Sequence, residues 1–206
     1  MPRDQRLAED ALFPATSMPD RDWWSVLWPD PALVMRQIGV EPGMIVLDLC
    51  CGDGYFTAAL AKRVAGRVFA LDLDAGLIEQ AKAEVAGVGA TVRQWICADA
   101  RDMGAVLPEP VDYVLLANTF HGVPDQASLA RAVRSVTKPG GSFGLLNWHR
   151  QPREQTVVLG QPRGPKTEMR MAPDQVSTVV EPAGFRTSKI VELPPFHYGI
   201  VLEAID

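Results

Sequence analysis

The fold of this chain is decided by one stretch, Val46-Leu47-Asp48-Leu49-Cys50-Cys51-Gly52-Asp53-Gly54-Tyr55-Phe56-Thr57. An apolar run reaches an acid, a loop of small residues follows, and a helical stretch begins at Tyr55, which predicts a strand, a turn and a helix. In α/β sheets, ligands bind at the carboxyl ends of strands, where such a turn lies. Gly52 and Gly54 let a ligand approach the backbone and permit torsion angles that a Cβ disfavours. The turn is therefore the first candidate binding site.

The acid in this stretch indicates the charge of the ligand. A loop that binds pyrophosphate would avoid an anion at this point, because the N-terminus of the following helix already attracts phosphate. Asp48 instead suits a cationic or zwitterionic ligand.

The length and composition are those of one globular domain. The chain has 206 residues, 47% hydrophobic and 22% charged, which allows a sizeable core. A net charge of -5 argues against binding to nucleic acid or an anionic membrane, because such binding depends mainly on Lys and Arg. Residues 1–10 lack the apolar segment of a signal peptide, and no run reaches the roughly 18 apolar residues of a membrane helix. Three cysteines do not make a disulfide framework, so we expect a cytoplasmic protein without membrane insertion.

Strands and helices alternate from Met44 onward, which predicts a mostly parallel sheet with helices on both faces. The predicted strands cover residues 44–49, 67–72, 91–96, 111–117 and 142–147, and the predicted helices cover residues 30–38, 55–64, 74–85, 125–136 and 173–180. Residues 185–193 and 196–205 predict a closing hairpin, so we expect the last strand to be antiparallel. Residues 1 to 20 predict an arm that is either loose or draped on the core.

Two more acids follow predicted strands. Asp72 closes the second strand roughly 20 residues after the glycine loop, where an acid accepts hydrogen bonds from a ribose diol. Asp99 follows the third strand and can accept a bond from an adenine amino group. Taken alone, either acid is equally well explained without a ligand, as a helix cap or a solvated loop residue. Asp74 is the better candidate for the helix cap.

Taken together, these segments resemble class I S-adenosylmethionine-dependent methyltransferases. Residues 48–54 resemble the first motif of that family, Ala70-Leu71-Asp72 its second-strand acid and Ala98-Asp99-Ala100 its adenine-side motif. Residues 129–141, ending Lys-Pro-Gly-Gly, are similar to the segment before strand five in the ubiquinone and menaquinone biosynthesis (type 11) subgroup. The resemblance covers residues 39–206 and implies a three-layer Rossmann-like α/β fold. Its seven strands would follow the order 3-2-1-4-5-7-6, with strand seven antiparallel.

The resemblance implies S-adenosylmethionine as the cofactor. Asp48 would lie near its amino group, Asp72 would hold the ribose hydroxyls, and Leu73 would touch the adenine face. The full set of expected cofactor-binding residues is Asp48, Cys50, Gly52, Gly54, Phe56, Asp72, Leu73, Asp99, Ala100 and Asn118. Cys50 stands where the family usually has the first glycine of the loop, so close approach of the ligand is in question there.

Methyl transfer from a sulfonium mainly requires alignment and exclusion of water, and a base only if the nucleophile must lose a proton. Asn118-Thr119-Phe120-His121 follows strand four and differs from the Asn/Asp-Pro-Pro-Tyr/Phe motif of enzymes that methylate exocyclic or amide nitrogens. His121 is the candidate catalytic base, with a pKa near the working pH. The alternative is a histidine that only hydrogen-bonds within its loop.

The expected substrate-binding residues come from three segments. Residues 148–171 hold five cations against Glu154 and Glu168, which predicts a lid over the pocket and an acceptor with a carboxylate or phosphate. A solvated loop with mobile charges is the alternative. Trp23, Trp24 and Trp28 either cover the cofactor, where a sulfonium can be held by cation–π contact, or pack a segment onto the core. The expected substrate-binding set is Trp24, Trp28, His121, His149, Arg150 and Lys166.

We expect residues 1–38 to cover the pocket of a methyltransferase domain formed by residues 39–206. The expected partner is a small-molecule acceptor, either anionic or neutral, and the expected assembly is a monomer or homodimer. A protein that binds S-adenosylmethionine without catalysis remains an alternative. A nucleotide-dependent oxidoreductase is less favoured, because the loop lacks G-x-G-x-x-G. No metal site is expected, because the cysteines lack the spacing of metal ligands and are best explained as small buried residues.

Overall fold

The computed structural model describes residues 18–206, so the expected arm over residues 1 to 20 lies almost wholly outside the described residues. The strands are β1 (Val46–Leu49), β2 (Val68–Asp72), β3 (Gln94–Cys97), β4 (Val111–Ala117), β5 (Thr137–Trp148), β6 (Val157–Val158), β7 (Gln161–Pro162), β8 (Phe185–Leu193) and β9 (His197–Ala204). The helices are α1 (Arg21–Leu27), α2 (Pro31–Gln37), α3 (Tyr55–Arg63), α4 (Ala75–Gly87), α5 (Met103–Val106), α6 (Gln126–Val136) and α7 (Pro173–Val180).

The main sheet has seven strands in the order β3-β2-β1-β4-β5-β9-β8. Strands β1 to β5 pair in parallel, whereas β9 is antiparallel to both of its neighbours. This order confirms the predicted topology, with β8 and β9 as the sixth and seventh strands of the sheet. Strands β6 and β7 form a separate small hairpin.

Two apolar layers cover the two faces of the sheet. Along β1, Val46 faces the layer that contains α1, α2 and α3, while Leu47 faces the layer that contains α6 and α7. Successive side chains of a strand point to opposite faces, so a strand covered on both sides is apolar throughout. The four residues of β1 are accordingly all buried. The carboxyl end of β1 lies between those of β2 and β4, with which β1 pairs in parallel.

Local sequence signals set several element boundaries. Asp74 caps α4, because its Oδ1 accepts hydrogen bonds from the backbone N–H groups of Gly76 (2.7 Å) and Leu77 (3.2 Å), as predicted. Asp30 caps α2 in the same way through Leu33 N–H. The predicted fifth strand was too short: β5 already begins at Thr137, so the segment Lys138-Pro139-Gly140-Gly141 lies within it. Residues 91–93, predicted to begin the third strand, precede β3.

Residues 148–171 are more ordered than the sequence predicted. The segment contains the β6–β7 hairpin and two short 3₁₀ turns. Arg170 is 2% exposed, and its guanidinium donates hydrogen bonds to the backbone carbonyls of Gln151, Arg163 and Pro165 and to the Thr156 hydroxyl. Arg170 is one of the five cations of this segment, and it is not a solvated charge: its guanidinium holds the segment together from within.

None of the helices within residues 18–206 is both long and apolar enough to span a bilayer.

Candidate active site

A cavity of about 590 Å³ opens at the carboxyl ends of β1, β2 and β4, beside the start of α3. The topology brings these strand ends together, so the loops that follow them share one space. Nine of the ten expected cofactor-binding residues line this cavity: Asp48, Cys50, Gly52, Phe56, Asp72, Leu73, Asp99, Ala100 and Asn118.

Asp48 is the most deeply buried acid of this cavity, with 2% of its surface exposed. The hydroxyl of Thr57, on α3, donates a hydrogen bond to Asp48 Oδ2 at 2.6 Å. Burial raises the pKa of Asp48 to about 7; the Thr57 hydrogen bond opposes this shift, and the nearby charge of Asp72 adds to it. No Lys, Arg or His within residues 18–206 forms an ion pair with it. A bound cation would supply the missing charge.

Asp72 organises the glycine loop. Its Oδ2 accepts a hydrogen bond from the backbone N–H of Gly52 at 2.8 Å, and its Oδ1 accepts one from Asp74 N–H at 3.0 Å. Gly52 has φ +55°, and a Cβ added there would lie 2.5 Å from Met18 Sδ. The loop thus leaves no room for a side chain at Gly52 without displacing Met18.

Cys50 has a left-handed backbone, with φ 58°. A residue with a Cβ is disfavoured in this region of backbone torsion angles. This explains why the family that residues 48–54 resemble usually has a glycine at the position of Cys50. Burial, together with the charges of Asp72, Asp48 and Asp99, raises the pKa of the Cys50 thiol. The thiol is therefore protonated, and its small side chain lines the cavity.

Gly54 is the one expected cofactor-binding residue that does not line the cavity. Its φ is +86°, and an added Cβ would lie 2.6 Å from the Cα of Ala81 on α4. The structure therefore accounts for this glycine by close packing of the loop against α4. The sequence could not reveal this reason, because Ala81 is distant along the chain.

The outer part of the cavity is formed by Leu73, Asp99 and Ala100. Leu73 is 44% exposed and, like Ala100, presents an apolar surface to the cavity. The side chain of Arg101 donates to Asp99 from Nε at 2.9 Å and from Nη2 at 2.5 Å. This hydrogen bonding lowers the pKa of Asp99 and keeps it ionised. An amino group of a ligand would share Asp99 with Arg101.

Asn118 connects the first cavity to a second one. It has φ 57°, and both polar atoms of its side chain are buried without a hydrogen-bond partner among residues 18–206. Asn118, Trp24 and Pro19 line both cavities. Buried polar groups are nearly always hydrogen-bonded, so the partner of this amide is a water molecule or a ligand in one of the two cavities.

The second cavity is smaller, about 230 Å³, and combines aromatic rings with two arginines. Its lining residues are Pro19, Trp23, Trp24, Asn118, His121, Trp148, Arg153, Arg163, Gly164 and Pro165. Trp148, Arg153 and Arg163 were not among the expected substrate-binding residues. The basic character of residues 148–171 correctly indicated that arginines of this segment line a cavity. These arginines are Arg153 and Arg163, however, and not the expected Arg150 and Lys166.

His121 lies in this second cavity, and its Nδ1 is buried without a partner in the described part of the chain. Burial, followed by the positive charge of Arg170, lowers its pKa to about 4. The expectation of a pKa near the working pH is therefore wrong for this structure. The imidazole is therefore neutral at pH 7.

Four expected substrate-binding residues do not line either cavity. Trp28 is buried in the core, with its ring centroid 4.4 Å from that of His197. His149 pairs with Glu192 at 2.9 Å, and both Arg150 and Lys166 point to solvent. Of the expected set, Trp24 and His121 alone reach a cavity.

Helix α1 lies at the edge of the first cavity, and ion pairs of Arg21 attach it to the glycine loop and to α4. Arg21 forms ion pairs with Asp53 in the glycine loop and Glu84 on α4, both at 2.6 Å, and lies over the ring of Tyr55. The Tyr55 hydroxyl donates to the backbone carbonyl of Trp28 at 2.6 Å. These contacts hold Trp24 in the wall between the two cavities.

Within residues 18–206, no group of three or more His, Cys, Asp or Glu side chains is arranged to hold a metal ion.

Comparison with known proteins agrees with this geometry. Residues 46–141 match the family model described as a methyltransferase domain. The chain is 30% identical over 147 residues to 2-phytyl-1,4-naphtoquinone methyltransferase of Trichormus variabilis, covering 68% of this chain and 63% of that protein. It is 34% identical over 113 residues to demethylmenaquinone methyltransferase of Geobacillus stearothermophilus, covering 52% of this chain and 47% of that protein.

A solved structure of a SAM-dependent methyltransferase from Aquifex aeolicus shares the fold over 100% of both chains, with a TM-score of 0.73 and 21% sequence identity. Residues 46–141 therefore belong to the methyltransferase domain family, and the chain has the fold of a SAM-dependent methyltransferase. The chain spans 63% and 47% of the lengths of these two curated relatives. The type 11 subgroup suggested by residues 129–141 agrees with these quinone methyltransferase relatives.

Proposed function

We propose that the protein transfers a methyl group from S-adenosylmethionine to a small-molecule acceptor by in-line displacement. The observation that carries this proposal is Asp48: a buried carboxylate, without a cationic partner among residues 18–206, faces a cavity large enough for a nucleoside. A carboxylate in this state favours a ligand that brings positive charge, which S-adenosylmethionine does.

The residues of the first cavity fit this cofactor. Asp48 would bind the amino group, Asp72 the ribose hydroxyls, and Leu73 with Ala100 the adenine ring. Gly52 lets the backbone pass close to the ligand, and the orphaned amide of Asn118 would meet the ligand at the boundary of the two cavities. When bound, S-adenosylmethionine supplies an electrophilic methyl group on a sulfonium.

The remaining tasks are alignment and exclusion of water. Residues 18–38 would exclude water, because Trp24 on α1 lies in the wall of both cavities. We propose that residues 1–38 cover the pocket formed by the domain over residues 39–206. Arg21 and Tyr55, which attach α1 to the glycine loop, support this division.

The second cavity would hold the acceptor. Its arginines support an acceptor with an anionic group. Because Asn118 lines both cavities, an acceptor bound there would lie next to the cofactor. His121 would bind the nucleophilic group of the acceptor through its neutral imidazole. We propose it as the group that receives a proton if the nucleophile must lose one.

A titration with S-adenosylhomocysteine and NAD tests the cofactor. Binding of S-adenosylhomocysteine at least about tenfold tighter than NAD supports the proposal, and the reverse order would favour a nucleotide-dependent oxidoreductase. Release of S-adenosylhomocysteine with a panel of phenols, quinols, carboxylic acids, thiols and amines then tests catalysis. Tight binding with no turnover on any acceptor would favour a protein that binds the cofactor without catalysis.

A further inference from the structure

The second cavity contains two arginine head groups that have no acidic partner among residues 18–206. Arg163 lies with its Cζ 5.2 Å from the ring centroid of Trp23, and its Nε is buried without a hydrogen-bond partner among the described residues. Arg153 donates a hydrogen bond from Nε to the carbonyl of Gly164 at 3.0 Å. Its guanidinium makes no other hydrogen bond within residues 18–206. Neither arginine forms an ion pair there.

The surroundings add positive charge to this cavity. Arg170 lies behind its wall, with Cζ 5.0 Å from the ring centroid of Trp148. The acids of the same segment, Glu154 and Glu168, are exposed and do not line the cavity. A guanidinium presents a planar fork of donors that matches a carboxylate, and such charge-assisted bonds are the strong ones.

The shape and remaining lining favour a flat ligand. Three tryptophans, Trp23, Trp24 and Trp148, contribute to a cavity of about 230 Å³, below the roughly 300–1,000 Å³ of pockets for drug-sized ligands. Aromatic walls stack on planar rings. Asn118 and His121 line the same cavity with polar atoms that have no partner in the described part of the chain, and a hydroxyl substituent could be bound there.

We infer that the acceptor is a small aromatic carboxylate of one ring, bound with its carboxylate at Arg153 and Arg163 and its ring among the three tryptophans. This inference rests on the proposed function and narrows it. It separates this protein from the curated relatives, whose names specify a phytyl-substituted naphthoquinone or demethylmenaquinone, larger molecules without a carboxylate.

Calorimetric titration of the full chain tests the inference without requiring turnover. The probes are 2-, 3- and 4-hydroxybenzoate, each compared with the corresponding hydroxybenzamide, which has the same shape and no charge. Each is titrated with and without saturating S-adenosylhomocysteine. We expect at least one hydroxybenzoate to bind about tenfold or more tightly than its amide, as expected for hydrogen bonds to charged groups.

Variants locate the binding site. Arg163→Gln and Arg153→Gln should each weaken hydroxybenzoate binding about tenfold and leave amide binding unchanged, whereas Arg163→Lys should retain part of the affinity. Arg150→Gln is the matched control, because Arg150 belongs to the same segment but is exposed away from the cavity. Thermal unfolding of each variant verifies that it is folded.

Two results would overturn the inference: no hydroxybenzoate binds more tightly than its amide, or the Arg150 variant loses as much affinity as the other two. Turnover of a neutral quinol with no turnover of any aromatic carboxylate would also overturn it while leaving methyl transfer intact. Failure of S-adenosylhomocysteine to bind would instead count against the proposed function, since hydroxybenzoate binding is also measured without it.

Discussion

The backbone N–H of Gly52 donates a hydrogen bond to Asp72 Oδ2 at 2.8 Å. Asp72 also accepts from Asp74 N–H through its other oxygen, so one carboxylate connects the glycine loop to the start of α4. The residue expected to bind ribose therefore also shapes the glycine loop. Its two tasks can be separated by substitution.

Asp72→Asn should weaken S-adenosylhomocysteine binding about tenfold or more, because an amide offers one acceptor oxygen in place of two charged ones. The free energy of unfolding should fall by only about 1 kcal/mol, since one backbone hydrogen bond can persist. Calorimetry and urea denaturation measure the two effects. Asp102→Asn, at an exposed position away from the cavity, is the control and should change neither. Unaltered cofactor affinity in Asp72→Asn would argue against the ribose role.

Asp48 makes both stability and cofactor binding depend on pH. Its pKa is raised to about 7 in the folded protein, so the folded state binds a proton that the unfolded state has lost above about pH 4. The stability that this proton contributes is complete below about pH 4 and is lost as the pH rises through about 7. From pH 5 to pH 8, the free energy of unfolding of the wild type, measured by urea denaturation, should therefore fall relative to that of Asp48→Asn.

The same group predicts the opposite trend for the ligand. The Asp48 carboxylate forms as the pH rises, so S-adenosylhomocysteine should bind about tenfold more tightly at pH 8 than at pH 6. In Asp48→Asn this dependence should disappear, because the amide does not titrate. An identical pH profile for the two proteins would mean that another group controls binding.

Cys50→Gly should stabilise the protein by about 0.5–1 kcal/mol, because glycine adopts φ 58° without the steric cost of a Cβ. The gain is limited by the larger entropy that glycine has in the unfolded chain. Cys50→Ala keeps the Cβ and should bring no comparable gain in guanidinium denaturation. Equal gains in both variants would assign the effect to the thiol and not to the backbone.

The two loop glycines should respond differently to alanine. Gly54→Ala should cost about 3 kcal/mol or more, because its Cβ would meet the backbone of Ala81 while φ remains at +86°. Gly52→Ala meets the flexible side chain of Met18, so its stability loss should be smaller and its main effect should be weaker S-adenosylhomocysteine binding. Thermal unfolding and calorimetry of the pair test this assignment, which fails if Gly54→Ala is the milder change.

Arg170→Met should loosen residues 148–171, because three carbonyls and a hydroxyl lose their shared donor. Leaving such buried groups unpaired costs about 1–3 kcal/mol each if they stay buried, so the segment should open to water instead. Limited proteolysis should then cleave within it faster than in wild type, while S-adenosylhomocysteine binding remains. Arg150→Met, an exposed neighbour, should be cut at the wild-type rate.

The sequence was sufficient for the sheet and for most of the first cavity. Alternating strands and helices determine a parallel order, and that order brings Asp48, Asp72 and Asp99 to one edge regardless of details elsewhere. The second cavity was not predictable in the same way. Residues 148–171 have no regular period, so whether Arg153 or Arg150 points inward depends on the β6–β7 hairpin and on Arg170 beneath it.

Gly54 and His121 also have properties that depend on tertiary neighbours and could not be predicted from local sequence. A glycine pattern does not reveal whether the close neighbour will be a ligand or, as for Gly54, another helix. The pKa of His121 depends on burial and on Arg170, which lies far away along the chain. Local sequence thus indicated the residue types, whereas tertiary neighbours determined their states.

The position of β9 between β5 and β8 also affects how the nascent chain folds during synthesis. During synthesis, β5 and β8 leave the ribosome before residues 197–204 and have no partner for their facing edges until β9 follows. Trp28 near the beginning of the chain also lacks its contact with His197 until then. An unpaired strand edge is a site of aggregation, so the nascent chain is most vulnerable shortly before its last strand inserts.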